Sequence, residues 1–312
     1  MDFFTHLVFG ALMYLLFLKE VTFDYFFLAV FFAILPDLDV FISPLKRIFK
    51  SNYLEHRAGS HSYIIGIIMA GIIGSIYSII TQKPFIIVWS IGIIFYGIHV
   101  SLDMLTTTKI PFLFPLSKKE HCFYVEKAGS SFTLLTSWIF ITTLLIIYFN
   151  FPDITLILLV INGYTYFTIT YYVFRILTKI WVSLHLTDSQ KYFPGVLPFY
   201  FYIFEKTILN DNISLHLEKK SHFGSSKVLF ENTTNLSIRE LDIFNKGVEL
   251  CKESYYYSKW TVLPRFSSDD GLFSIKFFFL EPMVRSRAMY IQYDFDLNSE
   301  ILIGYNQSFG HF

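Results

Sequence analysis

Seven of the metal-ligating side chains between positions 6 and 103 fall in a pattern that could do chemistry: His6, Asp37, Asp39, His56, His61, His99 and Asp103. Imidazole and carboxylate without thiolate suit Zn²⁺, with Mn²⁺ or Fe²⁺ as alternatives. An ion held with an open coordination position activates water. His99 and Asp103 are four residues apart and share one face of a helix. His56 and His61 belong to "EHRAGSHS", directly ahead of the apolar run "YIIGIIMAGIIGSIYSII". Arg57 in the same stretch is suited to clamp an anion such as phosphate through two parallel hydrogen bonds. Each residue alone has a plainer reading. A lone His6 is an interfacial side chain, "LPDLD" is a helix stop, Arg57 is a topology charge, and His99 with Asp103 is a satisfied pair in a bundle. Ionisable groups inside a membrane are costly, however, and their convergence favours a site.

The elements that must position these groups are membrane helices. The chain of 312 residues is 54% hydrophobic and 20% aromatic, with mean hydropathy +0.49, which is too apolar for an ordinary soluble domain. Lysine plus arginine balances aspartate plus glutamate at 25 each, so no global basic field draws nucleic acid as a partner. Cys122 and Cys251 are far apart and suggest neither a disulfide framework nor a thiolate site. The start, "MDFFTHLVFG", has no basic segment and does not read as a cleaved signal peptide.

Apolar runs at 63–80, 85–105, 132–149 and 154–174 each predict a span, and shorter runs lie at 7–18 and 23–35. The expectation is a mainly α, polytopic helical membrane domain at 1–186, with about six spans of which the first two are short. A cytoplasmic α+β domain follows at 187–312. In it "MYIQYDFDL" alternates as a half-buried strand, and "SIRELDIFNKGVELC" is an amphipathic helix with Ser237 and Glu240 as a capping box. His185, just ahead of it, and His216, His222 and His311 within it are scattered and read as surface or packing residues.

With six spans, Lys46, Arg47, Lys50, Arg57, Lys109, Lys118, Lys119, Lys127, Arg175 and Lys179 fall on one side, and Lys19 and Lys83 on the other. The crowded side is then cytoplasmic, with both termini there, in a plasma-membrane protein. All seven ligating groups map to that side, at the ends of four helices. Helix C-termini there favour a cation, and N-termini offer amides to an anion.

"MDFFTHLVFG", "LPDLD", "HRAGSHS" and "HVSLDMLTTTKIPFLFPLS" together resemble, in order and spacing, the signature blocks of the YdjM-type membrane-bound metal-dependent hydrolases. That family in turn is similar to the all-helical phospholipase C and P1 nuclease group, where His and Asp from several helices hold zinc and cleave phosphoesters. The resemblance implies metal binding by His6, Asp37 or Asp39, His61, and His99 with Asp103. His56 and Arg57 match the family's H-R pair. The chain departs from the pattern at Lys109, where glycine is usual.

The expected function is hydrolysis of a phosphoester by metal-activated water, with membrane lipids as surroundings and a lipid phosphoester as substrate, because the site lies at headgroup depth. Asp37, Asp39, His61, His99 and Asp103 hold the ions and His6 completes the shell. Arg57 stabilises phosphate, and His56 is a ligand or general acid. The alternative is a non-catalytic membrane protein whose metal or polar cluster staples helix ends, with the tail as a binding module. HExxH, G-x-S-x-G and P-loop signatures are absent. A transporter would place its polar groups nearer the midplane.

Overall fold

The computed structural model describes residues 2–17, 22–41, 59–151, 153–209, 212–254 and 259–312. The chain divides into two compact units, Met1–Leu177 and Thr178–Phe312. The first holds α1 (Phe3–Phe17), α2 (Phe23–Ile34) and a 3₁₀ segment (Leu35–Phe41). After these come α3 (Tyr63–Thr81), α4 (Phe85–Met104), α5 (Ser131–Asn150) and most of α6 (Ile154–Ser183). Four helices, α3 to α6, are long and apolar enough to cross a membrane, at 19, 20, 20 and 30 residues. α1 and α2, with 15 and 12 residues, fall below the ~20 that a span needs. Among the described residues the six-span expectation thus meets four candidate spans and two short apolar helices.

The helix ends follow local chemistry. Asp2 accepts the Thr5 amide at 2.9 Å and opens α1. Ser62 accepts the Ile64 amide at 3.2 Å and caps α3. α3 stops at Gln82, whose φ of 57° ends the helix, and Pro84 then precedes α4.

Small residues let α1 to α4 approach closely around a core that includes Tyr14, Phe32, Ala70, Val88, Phe95 and Tyr96. A Cβ on Gly10 would sit 2.5 Å from that of Ala33, and one on Gly92 would sit 2.7 Å from that of Ala70. Lipid offers no hydrophobic drive between helices, so such close packing is what holds them together. The outer faces expose Ile79, Ile80, Ile86 and Phe149, as contact with hydrocarbon requires. A Cβ on Gly66 would meet the Tyr96 ring at 2.4 Å. Gly66→Val should therefore cost roughly 1–3 kcal/mol and lower the melting temperature. Gly163→Ala, with nothing within 4 Å of its Cβ, should change it little. Equal melting temperatures for the two variants would contradict this packing.

The second unit contains two four-stranded antiparallel meanders. One is β1 (Gln190–Pro194), β2 (Tyr200–Leu209), β3 (Asn212–Ser221) and β4 (Ser226–Asn235). The other is β5 (Val262–Asp269), β6 (Leu272–Phe279), β7 (Arg287–Asp296) and β8 (Leu302–His311). Between them lies α7 (Ile238–Lys252), with the Ser237–Glu240 capping box formed in both directions. α7 packs on the second meander, and its Gly247 comes close to Ile275 and Phe277. β7 buries Ile291, Tyr293 and Phe295, the phase its alternation predicts. Asp270 and Gly271, with φ of 44° and 80°, supply the two positive-φ positions that a tight hairpin turn demands.

Candidate metal centre

Four elements of the first unit bring six of the seven ligating residues together. His6 comes from α1, Asp37 and Asp39 from the 3₁₀ segment, His61 from the turn ahead of α3, and His99 with Asp103 from α4. All six are buried, and even the two 3₁₀ aspartates are only 7% exposed. One ligand atom each from His6, Asp37, His99 and Asp103 lies within 4.8 Å of the others. His61 Nε2 adjoins this group, 3.2 Å from Asp103 Oδ2 and 3.6 Å from Asp37 Oδ1. His56 and Arg57 lie outside the described residues.

Tautomers follow from the partners. His99 Nδ1 is 2.7 Å from the Ala33 carbonyl, which accepts only, so Nδ1 carries the proton and Nε2 presents its lone pair. Ser60 gives its hydroxyl proton to Asp39, so His61 Nδ1, at 3.0 Å, donates to Ser60 Oγ. His61 Nε2 then also presents a lone pair. The two Nε2 atoms face each other at 3.2 Å. Two acceptors aimed at one another need either a proton on one of them or a cation between them. Ser60 and the Ala33 carbonyl are thus outer partners that orient the imidazoles.

The remaining edges are of similar length. His6 Nε2 is 3.2 Å from Asp103 Oδ1, and its ring stacks on His99 with centroids 3.7 Å apart. His99 Nε2 is 3.7 Å from Asp37 Oδ1 and 4.0 Å from Asp103 Oδ2. Ligands placed 2.0–2.2 Å from a tetrahedral ion stand about 3.3–3.6 Å apart; the edges of 3.2 to 3.7 Å lie near that range, and the 4.0 Å His99–Asp103 edge is wider. Buried polar atoms point the same way. Both Asp37 oxygens and His6 Nδ1 are buried with no hydrogen-bond partner among the described residues. A buried carboxylate in that condition is expensive, and a divalent cation removes the expense.

Asp37 and Asp39 take different places. Asp37 sits at the Nε2 side of His61, whereas Asp39 reaches Nδ1 at 3.5 Å and binds Ser60. Burial disfavours charge on His61, yet Asp103, Asp37 and Asp39 overcome it and push its pKa up to about 10. A proton held there takes the position where the lone pair would meet an ion.

Sequence reasoning missed a second buried cluster. Arg175 of α6, counted there as a topology charge, is buried, with Nε 3.1 Å from Glu126 Oε2. Tyr171 donates to the same carboxylate. An arginine interrupting the apolar helix, with Glu126 in the α4–α5 connection, was the available signal. The Lys109 departure leaves the backbone ordinary, since Lys109 is not among the positive-φ residues.

A family model described as "YdjM inner membrane protein" matches residues 1–182, which include every residue of the cluster. No curated protein and no solved structure matches the chain.

Proposed function

The chain belongs to the YdjM inner membrane protein family, and from that premise we propose that it is a membrane-bound, metal-dependent hydrolase cleaving a phosphoester at the cytoplasmic face. The observation that supports this most is the convergence of the His61 and His99 Nε2 atoms, 3.2 Å apart, beside the buried Asp37 carboxylate, which has no hydrogen-bond partner among the described residues. His6, Asp37, His61, His99 and Asp103 would hold the ion, and the thiol-free donor set favours zinc over manganese or iron. A bound divalent ion supplies a Lewis acid for a phosphoryl oxygen and lowers the pKa of water.

The protein's own groups prepare that centre. Ala33 and the Ser60–Asp39 pair fix two imidazoles in the ligating tautomer. The turn that carries His61 is anchored by Tyr96, which donates to the Ser60 carbonyl, and by Ser62, which donates to Phe114 O. Arg57 would bind phosphate and His56 would deliver a proton to the leaving group. The competing reading is a structural ion that staples four elements. Turnover of phosphoesters by metal-loaded protein decides between them.

The proposal places both termini and the second unit in the cytoplasm, on the basis of the lysine and arginine distribution. Cys251 is buried, and burial pushes its thiol up to about 12, so Cys122 is the background thiol to replace. Cysteines introduced at Lys83 and at Lys227 should then label from opposite sides of sealed vesicles. Labelling from one side would overturn this orientation.

A further inference from the structure

We infer that Glu126 and Arg175 are positioning residues of the metal centre: the ion pair they form clamps the end of α4 that carries Asp103 to α6, and so sets the His6–Asp103 edge. The inference rests on the metal-centre reading above and extends it to two residues outside the ligand set.

Three sets of contacts lead from the pair to the cluster. The first is main chain. The last carbonyls of a helix have no partner within it, and at the end of α4 the α4–α5 connection closes over them. The Phe123 amide donates to Met104 O at 2.7 Å, and the Val125 and Glu126 amides donate to Leu105 O at 2.8 and 3.0 Å. The Tyr124 amide donates to Thr106 O at 3.3 Å. Thr106 in turn gives its amide and its hydroxyl to the Asp103 carbonyl, at 3.0 and 2.8 Å. Residues 123–126 are thus bonded to the three that follow Asp103.

The second is the Glu126 side chain. Its carboxylate accepts the Tyr171 hydroxyl and lies 3.1 Å from Arg175 Nε, so the connection is tied to two residues one turn apart on α6. Glu126 and Arg175 are only 0% and 1% exposed. Charges buried in a membrane helix bundle are costly, and their first reading is a functional one. The third is packing by the same turn of α6. Tyr171 and Tyr172 share a buried cluster with Leu102, the residue before Asp103. Tyr172 also meets Phe9 of α1 edge to face, with centroids 6.1 Å apart, and Phe9 is about one turn from His6. The turn therefore bears on both helices that supply the 3.2 Å His6–Asp103 contact. Ligand geometry tolerates about 0.5 Å of error, so loosening α4 beyond Leu102 takes Asp103 out of place.

The test uses the full-length protein in detergent with Co²⁺ as the probe, read by competition with a chelator and by the visible spectrum of the bound ion. Removing one partner of a buried pair strands the other charge, whereas replacing both by apolar groups of similar volume is often neutral for folding. The main variant is therefore Glu126→Leu combined with Arg175→Met. It should melt near the wild-type temperature, bind Co²⁺ about tenfold more weakly, and show shifted visible bands because Asp103 meets the ion differently. Glu126→Gln combined with Arg175→Gln keeps an acceptor for Tyr171 and should restore affinity and spectrum. Tyr171→Phe, which removes one hydroxyl, should lower affinity by about threefold, the worth of an ordinary hydrogen bond, and shift the bands the same way. Ile147→Ala, at a buried site of α5, should lower the melting temperature and leave both Co²⁺ readouts unchanged. Wild-type affinity and spectrum in the apolar double variant, or in Tyr171→Phe should the double variant not fold, would overturn the inference. An equal loss in Ile147→Ala would also overturn it, by making the effect one of stability. The two readings fail separately. A wild type that binds no Co²⁺ removes the metal centre itself, whereas a wild type that binds it no better than these variants removes only the clamp.

Discussion

His61→Ala and Asp103→Ala should each strip the protein of the divalent ion that the wild type retains through purification. Asp103 is the hub of the cluster: its carboxylate lies 3.2 Å from His6, 3.2 Å from His61 and 4.0 Å from His99. His61 supplies one of the two facing Nε2 atoms. Losing an outer partner of a metal ligand costs about 10–100-fold in affinity, and losing a ligand itself should cost more. A graded series follows. Ser60→Ala, which leaves the ligands and removes the group that orients His61, should weaken binding by about 10–100-fold. Asp103→Ala should weaken it further, and His216→Ala, in the second unit, should leave it unchanged. Elemental analysis of dialysed protein reads all four. Full occupancy in the Asp103 and His61 variants would remove the centre from the account.

The second large effect is on catalysis. Metal-loaded wild type should hydrolyse phosphoesters, and Arg57→Lys should keep its ion yet lose about 10²–10³ in rate. That is the usual cost of removing one charged donor to the transition state. Lysine keeps the charge but cannot make two parallel hydrogen bonds to phosphate. Contacts of this kind strengthen as charge develops, so the loss should appear in kcat more than in KM. The assay presents phospholipids, lipid phosphates and simple phosphodiesters to protein in detergent, with and without chelator. Turnover that survives both chelation and Asp103→Ala would belong to a contaminant. No turnover with any ester would leave the structural-ion reading in its place.

Much of the framework was legible in the chain because bilayer thickness and side-chain period act locally. The runs at 63–80 and 85–105 became Tyr63–Thr81 and Phe85–Met104. α6 instead runs past its apolar stretch to Ser183, since hydropathy marks burial in lipid, whereas a helix continues as long as its backbone bonds do. The gathering of His6, Asp37, His61, His99 and Asp103 was legible because costly polar groups all fell at helix ends on one side. The separation of Asp37 from Asp39 was not. Two residues apart in a 3₁₀ helix of three per turn, they point in different directions, and only the fold shows which one meets the Nε2 side of His61. Ser60 and the Ala33 carbonyl could not be read either. Their role depends on where His61 and His99 turn their rings, and the His99–Ala33 contact joins residues 66 positions apart. The Glu126–Arg175 pair likewise spans 49 positions (175 less 126), beyond the reach of any local pattern.

The most direct measurement is X-ray absorption at the edge of the metal that the purified wild-type protein carries. A single class of divalent site should appear, with nitrogen and oxygen at about 2.0–2.2 Å, the multiple scattering of at least two imidazoles, and no sulfur at about 2.3 Å. Asp103→Ala should erase the signal. A protein that binds no divalent ion, or one whose ion shows no imidazole, would contradict the assignment of His6, Asp37, His61, His99 and Asp103 as a metal centre.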